Sequence, residues 1–150
     1  MSDVPTSASK KIPVMEIFGP TVQGEGAVIG LQTYFIRFGG CDYKCKMCDS
    51  IHAVDPQLVN RLAQWIPADK IFELFRNFRD SKGVHTPRWV TLSGGNPCIH
   101  DLTDFVLDCN EANIDIAVET QGTIWQEWLL GTSHVTVSPK GPGMGERYEQ

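Results

Sequence analysis

The chain has no apolar run of membrane-spanning length, no excess of positive charge, no paired-cysteine framework and no internal repeat or low-complexity tract. Each absence excludes something. Without a long apolar stretch near the start or elsewhere, neither a secretory leader nor a membrane span is expected. With 13 Lys and Arg against 18 Asp and Glu, the formal net charge of -5 opposes broad capture of nucleic acid or anionic membrane, so a small substrate is expected. Five cysteines are an odd number with no disulfide pattern, which places the chain in a soluble, reducing, cytoplasmic setting. At 150 residues and 41% hydrophobic content, one domain over 1–150 with a real core is expected.

What is present starts with Gly39-Gly40-Cys41-Asp42-Tyr43-Lys44-Cys45-Lys46-Met47-Cys48-Asp49-Ser50, a C-x3-C-x2-C run. Three thiolates from one loop leave one iron of a 4Fe-4S cubane open to a ligand, whereas an electron-transfer ferredoxin closes its cluster with four cysteines. The spacing alone also admits a structural zinc site of Cys41, Cys45, Cys48 and His52. Cys98 and Cys109 lie outside any paired spacing, and Cys109 falls on a helical apolar stripe, where it reads as core.

Strands and helices alternate along the rest. Val14-Met15-Glu16-Ile17-Phe18 reads as a strand stopped by Gly19-Pro20, and a glycine-broken loop follows. Residues 32–38 are β-branched and aromatic and end at Gly39-Gly40, so the cysteines fall just past the carboxyl end of a strand, where α/β enzymes keep their sites. Pro67 suits a helix start, with Ile71, Leu74, Phe75 and Phe78 at i, i+3, i+4 and i+7. A strand over 88–92 ends at Ser93-Gly94-Gly95-Asn96-Pro97, and Leu102, Phe105, Val106 and Cys109 mark the next helix. Further strands over 114–118 and 134–137 end at Glu119-Thr120-Gln121-Gly122-Thr123 and Ser138-Pro139-Lys140. This alternation predicts an α/β fold of parallel βα units in a partial, open TIM-like barrel. Residues 1–13 read as a flexible leader and 141–150 as loop. With four or five strands, the barrel is either open or the chain is a fragment, incomplete at its C-terminal side.

The cysteine triplet followed by Ser93-Gly94-Gly95-Asn96-Pro97 resembles the radical S-adenosylmethionine (SAM) superfamily. Within it, Val22-Gln23-Gly24-Glu25-Gly26, Phe35-Ile36-Arg37-Phe38, Cys48-Asp49-Ser50, Glu119-Thr120-Gln121-Gly122-Thr123 and Ser138-Pro139-Lys140 resemble the 7-carboxy-7-deazaguanine synthase family, in that family's order over about residues 14 to 140. The resemblance implies a radical SAM core and a reaction of the queuosine pathway, in which 6-carboxy-5,6,7,8-tetrahydropterin contracts to 7-carboxy-7-deazaguanine and ammonia leaves. It also implies that members of the family extend beyond Ser-Pro-Lys into further strands.

The same resemblance assigns residues. Cys41, Cys45 and Cys48 hold the 4Fe-4S cluster. Met47, Cys48 and Asp49 touch the adenine side of SAM, Gly94 and Gly95 its methionyl end, and Ser138, Pro139 and Lys140 its carboxylate or ribose. Val22, Gln23, Gly24 and Glu25 meet the pterin edge, Arg37 forks onto the substrate carboxylate, Ser93 adds a hydroxyl, and Ser50 ligates Mg2+. No catalytic side chain is assigned, and Glu119 has no role beyond its strand-end position. The superfamily usually shows Gly-Gly-Glu-Pro; Asn96 replaces that glutamate, removing a charge while keeping a side-chain carbonyl, so weaker help for the SAM ammonium is expected, with backbone carbonyls able to suffice. The implied partners are the pterin, an electron donor such as flavodoxin and a second copy in a homodimer. From the residues alone, Arg37 also reads as a surface arginine, Asp49-Ser50 as a turn cap, and Gly-Gly-Asn-Pro as an ordinary turn. A glycyl-radical activase of the same superfamily and the zinc-stabilised binding module remain as alternatives.

Overall fold

The computed structural model of the chain describes residues 9–83 and 86–147. β1 (Lys11–Val22) runs antiparallel to β2 (Gln32–Phe38), and bulges interrupt their register between Val14 and Glu16 and between Phe18 and Thr21. β2 occupies the span its composition predicts. β1 starts at Lys11 rather than Val14, so the expected flexible leader 1–13 gives up its end to a strand; residues 1–8 lie outside the described ones. The cause is a partner the sequence did not reveal. After β3 (Tyr43–Cys45) and α1 (Pro56–Leu62) comes β4 (Gln64–Pro67), which pairs antiparallel with Lys11 to Val14, and Ile12 and Val14 are buried there. Pro67 therefore ends an edge strand, and the expected helix begins later, as α2 (Ile71–Asp80).

β5 (Trp89–Gly94), α3 (Thr103–Glu111), β6 (Asp115–Thr120) and β7 (His134–Val137) follow, and the main sheet has the order β4-β1-β2-β5-β6-β7. Strands β2, β5, β6 and β7 are mutually parallel, as the βα alternation predicts. The β1–β2 step departs from it, because the loop 23–31 is too short for the crossover a parallel pair needs. The fold is thus α/β with an open, largely parallel sheet edged by two antiparallel strands. The expected loop over 141–150 contains β8 (Gly145–Arg147), paired antiparallel with β3; residues 148–150 lie outside the described ones. Backbone hydrogen bonding to the cysteine loop draws this apolar-poor segment into a strand that periodicity could not show.

Strand alternation divides the sheet's faces. Tyr34, Ile36, Phe38, Val90, Leu92, Ile116 and Val118 enter one core, covered by Ile71 and Phe75 of α2 and by Phe105, Val106 and Cys109 of α3. Tyr34 and Phe105 set their rings edge-on to Phe75 at 5.9 Å each. Cys109 is fully buried among these side chains, as its position on the stripe predicts. Phe35 and Arg37 face the other side and line a cavity there. Among the described residues, no helix is long and apolar enough to cross a membrane.

Candidate functional site

Two cavities lie at the carboxyl edge of the parallel strands. The larger, about 720 Å3, is walled by the ends of β1, β2, β5, β6 and β7 and contains Val22, Gln23, Gly24, Glu25, Arg37, Ser93, Glu119 and Ser138. The second, about 510 Å3, contains Cys41, Cys45, Met47 and Cys48. Asp49, Ser50, Gly94, Gly95, Gln121 and Lys140 border both, so the two share a wall. Of the residues that sequence assigned to the cluster, SAM, the substrate or Mg2+, Pro139 lines neither, and neither do Asn96 and His52. The three cysteines reach one cavity because β3 and β8 fold the loop back over the ends of β5 and β6. Such a set of thiols around a common space fits a cubane, which spreads its thiolates over separate irons. His52, the fourth ligand of the zinc alternative, does not line the cavity that the three cysteines share.

Several of these side chains are also hydrogen-bonded within the protein. Gln23 is buried, and its amide is fully committed: Nε2 donates to Glu119 Oε1 at 3.0 Å and to Thr91 Oγ1 at 3.3 Å, while Oε1 accepts from the Gly24 and Glu25 backbones at 2.8 and 3.2 Å. A glutamine has no hydrogen-bonding capacity beyond these. It shapes the loop and aims Glu119. Arg37 points into the larger cavity rather than to solvent, but it is not the unpaired charge that burial alone implies: Nε donates to Glu16 Oε1 at 2.7 Å and Nη1 to Ser50 Oγ at 3.3 Å. Ser50 in turn donates to Asp49 Oδ1 at 3.0 Å, so that hydroxyl lies between a carboxylate and a guanidinium. Lys140 Nζ donates to Ser138 Oγ at 3.2 Å.

Asn96 departs furthest from expectation. It is fully buried, with Nδ2 donating to Asp42 Oδ1 at 2.8 Å and Oδ1 accepting from Thr120 Oγ1 at 2.8 Å and the Cys98 backbone at 3.1 Å. Its carbonyl is taken up inside the protein, and Asn96 lines neither cavity.

Glu119 is the residue the sequence undervalued. Burial, with the Glu25 carboxylate nearby, holds its carboxyl above the ordinary value against the hydrogen bonds from Ser93 and Gln23. The available signal was its place at a strand end beside Gln121, within a motif already singled out. A raised native value means that the folded chain binds the extra proton more readily than the unfolded one. The stability Glu119 contributes is then complete below its ordinary value of 4.5 and is lost as pH rises through the raised one. Glu119→Gln, neutral throughout, is expected to flatten the decline in unfolding midpoint between mildly acidic and neutral pH. Denaturant melts of both proteins across that range check it; parallel curves overturn the assignment.

No family model matches the chain. Among curated proteins it is 45% identical over 133 residues to the 7-carboxy-7-deazaguanine synthase of Bacillus cereus, covering 88% of this chain and 54% of that one. It is 44% identical over 135 residues to the namesake from Bacillus subtilis, covering 89% and 54%. The chain therefore spans about half the length of the curated relatives it matches. Among solved structures, the crystal structure of QueE from Escherichia coli superposes with a TM-score of 0.74 at 28% identity, over 91% of this chain and 64% of that one. The cysteines and the polar cavity lie together at the carboxyl edge of the parallel strands, where α/β proteins keep their sites. Over about half their length, the chain is similar to the 7-carboxy-7-deazaguanine synthases, as its ordered motifs indicated.

Proposed function

We propose that the chain provides the core of a radical SAM enzyme that converts 6-carboxy-5,6,7,8-tetrahydropterin to 7-carboxy-7-deazaguanine with loss of ammonia, a carbon–nitrogen lyase of the queuosine pathway. The observation that carries this reading is the wall shared by the cysteine cavity and the cavity of Glu25, Arg37 and Glu119. A group in one is then within reach of a substrate in the other. The curated relatives' name supports the product, and the family resemblance implies the pterin substrate.

Cys41, Cys45 and Cys48 would hold the cluster, with SAM against Met47, Asp49, Gly94, Gly95 and Lys140. When bound, the pair supplies a one-electron route to a carbon radical that removes hydrogen from the substrate. The chain's own residues bind and orient. Arg37 presents its Nη edge to a carboxylate, since Nε is occupied by Glu16. Glu25 and Glu119 offer acceptors to the N–H groups of the pterin edge, and Gln23 holds that loop in place. Ser50 and Asp49 are hard oxygen donors of the kind Mg2+ takes. The nearby guanidinium opposes a cation unless a substrate carboxylate lies between them, so metal and substrate bind together in this proposal. An external donor such as flavodoxin delivers the electron, and a homodimer is the proposed assembly.

The test is anaerobic incubation with iron, sulfide, SAM, reductant and the carboxy-tetrahydropterin, using the chain alone and extended by the rest of a Bacillus relative, followed by product mass analysis. Product is expected at least from the extended chain. Reductive SAM cleavage with no deazaguanine product from either chain points instead to another radical SAM activity. Arg37→Ala is expected to weaken substrate binding roughly 10- to 100-fold, the loss of a charge-assisted hydrogen bond, while deoxyadenosine still forms without substrate. If the variant binds substrate normally and stops cleaving SAM, Arg37 belongs to the cofactor side.

A further inference from the structure

Asp42 stands inside the cysteine loop, and its carboxylate gathers donors from three distant parts of the chain. Oδ1 accepts from Asn96 Nδ2 at 2.8 Å, in the turn after β5, and from Gln121 Nε2 at 2.6 Å, in the turn after β6. Oδ2 accepts from Thr123 Oγ1 at 2.6 Å and, at the longer distance of 3.5 Å, from Arg147 Nη2 of β8. Gln121 Nε2 also lies 3.6 Å from Cys41 Sγ. The Asp42 side chain is 9% exposed while that of Arg147 is 60% exposed, so the charge is sheltered and satisfied mainly by neutral donors.

Asn96 explains why the donors converge. Its Oδ1 is held by Thr120 Oγ1 and the Cys98 backbone, which turns Nδ2 toward Asp42. A glutamate there has no N–H to give and would set a second carboxylate against the first in a buried place, a repulsive and desolvated arrangement. The residue at 96 and the residue at 42 therefore have to match.

We propose that Asp42 is a positioning residue for Cys41: through Asn96, Gln121 and Thr123 it clamps the cysteine loop onto the carboxyl ends of β5 and β6. Asn96 stands in place of the superfamily's usual glutamate in order to serve this clamp. The inference builds on the cluster reading above, because the loop it fixes is the one proposed to hold iron. A fixed negative charge in that loop would also lower the reduction potential of a cluster held by its cysteines.

Two readouts keep the two readings apart. In the metal-free chain, trypsin cleavage after Lys44 and Lys46 reports opening of the loop, with cleavage after Arg76 in α2 as the internal reference. Asp42→Ala and Asn96→Glu are each expected to speed loop cleavage roughly tenfold or more, the opening set by loss of buried charge-assisted hydrogen bonds, and to leave the reference rate unchanged. In the reconstituted chain, the same variants are expected to lose most of their iron. Asp42→Asn is expected to keep iron with a more positive midpoint potential. The double variant Asp42→Asn with Asn96→Asp restores a donor–acceptor pair with the roles exchanged, and is expected to return loop protection and iron toward wild type. A wild type that binds no cluster but shows the protease pattern overturns the cluster reading and supports the clamp. Loop cleavage at the wild-type rate in Asn96→Glu, or a double variant no better than Asn96→Asp alone, overturns the clamp.

Discussion

Cys41→Ala, Cys45→Ala and Cys48→Ala are each expected to abolish cluster assembly, whereas Cys98→Ala and Cys109→Ala keep the iron content of wild type. The first three thiols line a common cavity, and a cubane deprived of one of only three protein anchors is left with two irons open to solvent or exogenous ligands. The other two are core atoms. Cys109 is fully buried in the core, and burial pushes its thiol up to about 12, so it is neither a thiolate nor reachable by iron. Cys98 is also fully buried, and burial raises its thiol too. Truncating either removes one sulfur from a packed site and is expected to lower stability without touching iron. Iron and sulfide per chain after anaerobic reconstitution decide the matter. Wild-type iron in a Cys45→Ala chain, or its loss in Cys109→Ala, would transfer the anchor role elsewhere.

Much of the architecture was legible because its signals are local. Ile71, Leu74, Phe75 and Phe78 recur at helical spacing and α2 forms there, and the β-branched and aromatic run from Gln32 to Phe38 stops where Gly39-Gly40 follows. What could not be read is what depends on partners. Nothing in Lys11 to Pro13 says strand until β4 arrives from the other side of α1 to pair with it. β1 and β2 carry strand composition, but composition does not encode direction; the short loop between them does. The tail reads as loop because Gly145 to Arg147 have no apolar alternation, and only the edge offered by β3 makes them a strand.

The site divides in the same way. Its strand-end motifs were visible as polar punctuation after apolar runs, and they converge on the two cavities. The wiring among them was not. Asp42 reaches partners 54, 79, 81 and 105 residues away. Gln23 reaches Glu119 across 96 residues. A residue type declares what it can bond to, and only the fold declares which bonds it has left to give. Gln23 and Asn96 both promised a ligand contact, and both prove to have spent their amides on the protein.

Gly94 and Gly95 give the sharpest case, because cofactor access and packing predict opposite results for the same substitution. The reading from sequence is that they spare room for SAM. The structure gives a reason that holds without any ligand: a Cβ at Gly94 would sit 2.1 Å from the Phe38 carbonyl oxygen, and one at Gly95 would sit 2.1 Å from that of Gly40 and 2.9 Å from Cys41 Cβ. Both obstacles lie on the segment that joins β2 to the cysteine loop, and backbone cannot swing aside as a side-chain tip does. Gly94 also holds φ at +142°, a conformation other residues rarely adopt. Gly94→Ala and Gly95→Ala are therefore each expected to destabilise the metal-free chain by about 3 kcal/mol or more, the range of severe steric and backbone strain. Gly83→Ala makes the comparison fair: it shares the strained φ, at +97°, but its Cβ meets nothing within 4 Å, so a loss of about 1 kcal/mol is expected from conformation alone. Denaturant unfolding of the three variants without iron or SAM measures the difference. If the variants at 94 and 95 unfold no earlier than Gly83→Ala and lose only SAM binding, the glycines serve the cofactor. If they fall well below it, the two glycines are first of all the place where the cysteine loop is seated on the sheet, and access to the cavity follows from that seating.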